Sequence, residues 1–234
     1  MSRPNVSSID IVSVRCGGNG AVVGHPVREY DNRHNHVSPC EAYQRLLESS
    51  DSEYWIVIHD DVEIHDGDWL ARVVKCFVTN PECVVVGLGG ATSLGRPDLY
   101  RKPYQITNMA RGGYVSNQTD WQVHGGLETV CRQVVVCDAF LLAVRRQWLV
   151  NRGGWPVRHL SFHCLDLYLA CLAARDLKQT YMVGAKVSHY GGGSSTKDSY
   201  RDATWLQGAT RESDHQEPHR WLADEFKDVL PITL

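Results

Sequence analysis

The chain opens with a short β-branched run at residues 9–14 (IDIVSV), which reads as a strand and stops at the glycines of CGGNGAVVG. A weaker strand candidate covers residues 27–30. Ser38-Pro39-Cys40-Glu41 then has the grammar of a helix start. Serine caps, proline fits the first helical position, and glutamate completes a capping box. The helix it predicts runs to about Ser49, with Ala42, Leu46 and Tyr43 inward. Residues 54–58 (YWIVI) are apolar without alternation, the signature of a strand covered on both faces. After the polar HDDVEIHDGD, Trp69, Val73, Val74 and Phe77 fall at helical spacing within residues 68–79, and Asn80-Pro81 ends the helix. Residues 83–88 (CVVVGL) predict another buried strand. The order β, α, β, α, β calls for a parallel sheet with helices on its faces.

Residues 89–130 break this rhythm with seven glycines and few apolar runs, and read as a long functional loop. Strand character resumes at 134–136 and 139–144. A helix is expected over about 163–174, with Leu165, Leu169 and Leu172 inward. Short strands are expected at 181–183 and around Val187, and an amphipathic helix over 218–229 carries Trp221, Leu222 and Phe226. No repeat or low-complexity tract interrupts the chain.

Composition narrows the classes. With 234 residues, 43% hydrophobic and 22% charged, the chain is an ordinary globular one, not a disordered one. A net charge of -3 gives no general attraction to nucleic acid or anionic lipid, although Arg145, Arg146, Arg152 and Arg158 offer a local basic cluster. No stretch approaches the roughly 20 apolar residues of a membrane helix, and MSRPNVSSIDIV lacks a secretory leader's apolar run. A cytoplasmic protein is the expectation. Eight cysteines contain no CxxC pair and sit mostly in apolar runs, so buried reduced thiols are expected.

Four places carry candidate chemistry. His59-Asp60-Asp61, with Glu63, His65 and Asp66 behind it, ends a buried strand, where open α/β sheets bind ligands. Carboxylates gathered there repel one another, and a divalent cation relieves the repulsion. Oxygen ligands favour magnesium or manganese, and an imidazole shifts the balance toward manganese or zinc. The plainer alternative is a solvated acidic turn with a helix cap at Asp66 or Asp68. His189 follows a β-like run and precedes Gly191-Gly192-Gly193. Asp166 begins an otherwise apolar helix, a costly place for a charge unless it borders a cleft. Asp138 separates VVVC from AFLLAV. Each of the last three has a structural alternative as a core, capping or paired residue.

Taken in order, these segments resemble the GT-A inverting nucleotide-sugar glycosyltransferases. Glu41-Ala42-Tyr43-Gln44-Arg45 before YWIVIHDDVEI is similar to that group's helix and strand ending in a D-x-D motif, with His59 standing where Asp or Asn is usual. VCDAFLLAVRRQ, SFHCLDLYLA and VSHYGGGS resemble its later motifs. The resemblance covers residues 9–195. It implies an α/β, Rossmann-like GT-A fold with a mostly parallel central sheet flanked by helices. It also implies one domain over 1–234: a nucleotide-sugar half (1–90), an acceptor half (91–195) and an extension (196–234).

By the same resemblance, Asp61, His189 and His59 would hold manganese or magnesium, and Asp60 would assist at the ribose or through water. Arg15, Asp31 and Asn32 would bind the rest of the donor, by default a uridine diphosphate sugar. Asp166 would be the catalytic base. Asp138 and His163 would face the acceptor, a glycan or alternatively a protein or modified nucleic-acid base. The insert 89–126, with Tyr100, Tyr104, Tyr114 and Trp121, would be an acceptor loop. Two rivals stand beside this reading. One is a non-catalytic nucleotide-sugar or glycan-binding domain. The other is a metal-dependent phosphohydrolase using His59-Asp60, which such enzymes carry on helices.

Overall fold

The structure is a computed structural model that describes residues 9–17, 19–34, 36–95, 106–110, 114–117, 131–190 and 211–234. Its elements in chain order begin β1 (Ile9–Arg15), β2 (Arg28–Asp31), α1 (Pro39–Glu48), β3 (Tyr54–His59), β4 (Val62–Ile64), α2 (Trp69–Thr79), β5 (Cys83–Gly87) and β6 (Gly90–Leu94). Next come β7 (Ile106–Ala110), β8 (Tyr114–Asn117), β9 (Arg132–Val134), β10 (Val136–Cys137), β11 (Leu141–Arg145) and α3 (Arg146–Asn151). The remainder are α4 (Leu165–Arg175), β12 (Gln179–Met182), β13 (Lys186–His189), α5 (Arg211–Glu225) and β14 (Ile232–Thr233).

A seven-stranded sheet in the order β2-β1-β3-β11-β5-β12-β9 forms the centre. β2, β1, β3, β5 and β12 run the same way, and β11 and β9 run against them. Two small sheets, β10-β6-β14 with β7 on β6, and β4-β13-β8, flank it. β3 shows why its sequence does not alternate. Trp55 and Val57 join one core with α1 and α4, whereas Tyr54, Ile56 and Ile58 join a second core with α2. Both faces are covered, so every position is apolar. α1 starts as its sequence predicts: Glu41 N donates to the Ser38 hydroxyl at 3.2 Å, and Pro39 occupies the first turn. The Glu41 carboxylate pairs with Arg45 at 2.6 Å.

Several expectations are corrected. The glycine-rich region is not loop throughout, because Gly90–Leu94 is a strand. Gly90 marks a close approach, since a Cβ there would meet Val136 O at 2.3 Å, and so does Gly87 at the end of β5, where one would meet Cys137 Cβ at 2.5 Å. The stretch after Asp61 is strand β4 and not an open acidic turn, since β13 supplies a partner from far along the chain. Asp68 does precede α2 but makes no side-chain cap bond, and Asp66 pairs with Arg72 instead. α5 starts at Arg211, not at Pro218, and contains that proline in its interior. Cys76 and Cys131 form a disulfide with Cα atoms 5.6 Å apart, against the expectation of reduced thiols, while the other six cysteines are free. That pair is 55 residues apart and has no local signature.

The basic cluster is partly engaged. Arg145 donates to Cys83 O and Phe77 O, both at 2.7 Å, and Arg152 pairs with Asp176 at 2.8 Å. No helix among the described residues is long and apolar enough to cross a membrane. Tyr100, Tyr104 and Trp121 lie outside the described residues, as does the side chain of Tyr114.

Candidate active site

β3 delivers His59 to the carboxyl edge of the central sheet, where His59 N donates to Phe140 O at 3.0 Å. The chain turns at Asp60-Asp61 and returns as β4. β13 pairs antiparallel with β4, with His189 opposite Val62. Tyr190 N donates to Asp61 O at 2.9 Å. Two segments more than a hundred residues apart in the sequence thus bring His59, Asp61 and His189 together. One ligand atom from each lies within 4.8 Å of the others. His189 Nε2 is 3.4 Å from Asp61 Oδ1, and the rings of His59 and His189 are 5.5 Å apart between centroids. The Phe140 ring backs His189 at 5.3 Å.

Asp61 Oδ1 is buried and faces the His189 ring nitrogen at 3.4 Å, too far for a strong hydrogen bond, a weakly compensated state for a carboxylate oxygen that a cation would relieve. Burial, then the neighbouring His189, push His59 below the usual imidazole pKa, toward the neutral form that binds metal. Burial pushes Asp61 up, but the imidazoles of His189 and His59 outweigh it and hold the carboxyl low. Two imidazole nitrogens and one carboxylate oxygen therefore fit a divalent cation.

Asp60 faces the other way. It is 6% exposed, and its Oδ2 accepts from Cys16 N at 2.8 Å and Gly17 N at 3.2 Å. This carboxylate ties the end of β1 to the end of β3. Between these strand ends and the segment before α4 lies a small open cleft. Cys16, Tyr43, His59, Asp61, Phe162 and Leu165 are among the residues on its walls.

Asp166 sits in the first turn of α4, beside Leu165. Burial, then the charge of Asp138, raise its carboxyl to about 7. Its Oδ1 accepts from Leu167 N at 2.9 Å. Asp138, exposed in the turn between β10 and β11, accepts from Phe140 N at 3.4 Å and acts on both Asp166 and His59.

The other expected residues lie around this centre. Arg15 reaches Glu29 at 3.5 Å while its buried Nε has no partner. Asp31 is exposed and held below the usual carboxylate range by Arg33, which donates to it at 2.8 Å. Asn32 is fully buried. Its Nδ2 donates to Val37 O at 2.8 Å and its Oδ1 accepts from Val37 N at 3.3 Å, so its amide braces a loop. His163 lies edge-on to Phe162 at 5.0 Å. Sequence reasoning missed Phe140 and Phe162. The signal available for both was adjacency, Phe140 two residues after Asp138 and Phe162 just before His163.

No protein of curated function matches the chain. Among solved structures, GalNAc-T7 with UDP, GalNAc and Mn2+ superposes with a TM-score of 0.49 at 8% identity, over 80% of this chain and 44% of that one. Mannosyltransferase PcManGT from Pyrobaculum calidifontis, in complex with GDP-Man and Mn2+, gives 0.45 at 14% identity over 76% and 56%. A197 from STIV gives 0.39 at 14% identity over 78% and 85%. The chain spans about half the length of the first two. Residues 29–168 match the family described as "Glycosyltransferase like family". That match begins in β2, contains the His59-Asp61 turn and Asp138, ends in α4 just after Asp166, and takes in more than half of the chain: this protein belongs to the glycosyltransferase-like family.

Proposed function

We propose that the chain is a metal-dependent, inverting glycosyltransferase that moves a sugar from a nucleoside diphosphate, by default uridine diphosphate, to an acceptor hydroxyl. The observation that carries this reading is the convergence of His59, Asp61 and His189, the first two of which line a cleft that Leu165, next to Asp166 in the sequence, also lines. His59, Asp61 and His189 would hold a divalent cation, manganese or magnesium, which when bound would supply Lewis-acid stabilisation of the charge that grows on a departing diphosphate. Asp60 shapes the donor floor by fixing the turn after β1, Arg15 and Asp31 line the approach of the nucleoside, and the buried Asn32 serves it only by bracing the loop behind Asp31.

Asp166 takes the proton from the acceptor hydroxyl as that oxygen attacks the anomeric carbon. A carboxyl near pH 7 is matched to this task, since it is both available as a base and able to hold the proton. Attack opposite the leaving diphosphate inverts the anomeric configuration. Asp138 and His163 orient the acceptor. The phosphohydrolase alternative needs His59-Asp60 on a helix. Here the pair closes a strand, and Asp60 is turned toward backbone amides.

Calorimetric titration of the full chain with UDP- and GDP-sugars, with and without Mn2+, tests the reading. The expected result is nucleotide-sugar binding that requires Mn2+ and is lost in Asp61→Asn. NMR of the released or transferred sugar then reports its anomer. Absence of nucleotide-sugar binding under every metal condition, or a product of retained configuration, would overturn the reading.

A further inference from the structure

α5 lies beyond the family match, yet it packs on the segment that presents Asp166. His219 is 8% exposed, and its ring nitrogens are 3.3 and 3.4 Å from Cys164 Sγ. Trp221 stacks flat on His159, with centroids 4.5 Å apart and planes 1° apart, and also meets Tyr168 of α4 at 6.2 Å. Leu222 and Phe226 are fully buried. Arg175 of α4 binds Glu225 at 2.9 Å and covers the Phe226 ring at 4.4 Å. From the other side, Cys40 N in α1 donates to Ser161 O at 2.8 Å. The segment 159–164 is thus gripped between α1 and α5.

What this grip holds is a strained turn. Cys164 has φ +68 at the N-terminal boundary of α4, two residues before Asp166, and its side chain makes no cap bond there. A left-handed conformation is unfavourable for a residue with a Cβ and persists only where the surroundings impose it. The contact that His219 makes is on that residue's own side chain.

We infer that His219 and Trp221 are positioning residues of the transferase site, fixing the left-handed turn at Cys164 and through it the place of the Asp166 carboxyl. The inference rests on the reading of Asp166 as the base. Neither residue touches the reacting atoms. Among the described residues, the titratable groups that act with Asp166 include Asp138 from the β10–β11 turn and the thiols of Cys137 and Cys171. None of these is cationic. The proton affinity of Asp166 therefore depends on where the first turn of α4 sits relative to solvent and to Asp138. Loosening the turn at Cys164 moves that carboxyl toward water and away from its like-charged neighbour.

The test is a pH titration of the full chain carrying 13C-labelled aspartate, followed by NMR. The Asp166 signal is the one missing in Asp166→Asn. Wild type is expected to titrate at about 7. His219→Ala, folded by circular dichroism, is expected to titrate about one unit or more lower, and His219→Gln, which keeps a polar group against the thiol, to return toward wild type. An unchanged midpoint in folded His219→Ala overturns the inference. If that variant does not fold, Trp221→Leu is titrated under the same criterion. Failure is separable from failure of the function: a wild-type midpoint in the ordinary carboxylate range removes Asp166 as a tuned base, whereas a normal wild type with insensitive variants removes only the role of α5.

Discussion

Asp166 is under two opposed demands. Its pKa of about 7 leaves it protonated in mild acid and basic above neutrality, so donor turnover is expected to rise with pH through a midpoint near that value. Asp166→Asn should reduce turnover by at least ~100-fold while leaving nucleotide-sugar binding intact. Stability runs the other way. The folded pKa lies above the unfolded value of about 3.9, so the native state binds the proton more tightly. The stability this provides is complete below the unfolded pKa and is lost as pH rises through about 7. Asp166→Asn should therefore raise the melting temperature at alkaline pH, by roughly 1–2 kcal/mol of stability once partial solvent screening is allowed for. A thermal melt of the variant that falls below wild type at alkaline pH would contradict this.

His59 provides a second prediction at this scale. Imidazole binds manganese and zinc in preference to magnesium, whereas a carboxylate favours magnesium. His59→Asp should move the ratio of Mn2+ to Mg2+ affinity toward Mg2+ by about tenfold or more, measured by calorimetry without any substrate. An unchanged ratio would place His59 outside the cation's ligand set.

Elements explain how such residues are held. β4 and β13 carry Asp61 and His189 to each other, and the pairing is reinforced outside the site. His65 Nε2 lies 2.8 Å from the Ser188 hydroxyl, and the Tyr190 hydroxyl donates to Glu63 at 2.8 Å. These bonds are exposed, so Tyr190→Phe should leave stability in chemical denaturation nearly unchanged. α2 acts by burial alone. Trp69, Val73 and Phe77 are all fully buried in the core they share with Tyr54, Ile56 and Ile58 of β3, and Phe77→Ala should destabilise by about 3–5 kcal/mol, read by chemical denaturation. A loss under about 1 kcal/mol would mean that this face is not the packed core described.

The whole molecule joins distant segments. The Cys76–Cys131 disulfide ties α2 to the start of β9 across 55 residues. Closing such a loop restricts the unfolded chain by up to about 4 kcal/mol, so Cys131→Ser or full reduction should lower the melting temperature while leaving Mn2+ binding unchanged. At the other end, β14 pairs antiparallel with β6, and Leu230 is buried beside it. The segment after α5 thereby returns to the strand that begins the glycine-rich insert.

Local sequence was enough for a large part of this. The Ser38-Pro39 cap, the two-faced β3 and the spacing of α2 are set by contacts within a few residues or by burial on both sides, and such signals are written in composition and period. The acidic turn after β3 was visible as chemistry because charges there need a reason. Local pattern did not separate the two acids, and only the family resemblance set Asp61 with His59 and His189: Asp60 and Asp61 are neighbours in sequence, yet one binds backbone amides and the other faces His189. Nor was the use of β4, β6 or the disulfide legible. Each depends on a partner supplied by a remote segment, and pairing free energy is realised only once folding has met the entropy of bringing the two ends together. The sequence alone thus determined the alternation of strands and helices and the residue types able to do chemistry. Only the tertiary structure decided which of them converge, because convergence is a property of strand order and packing, not of spacing along the chain.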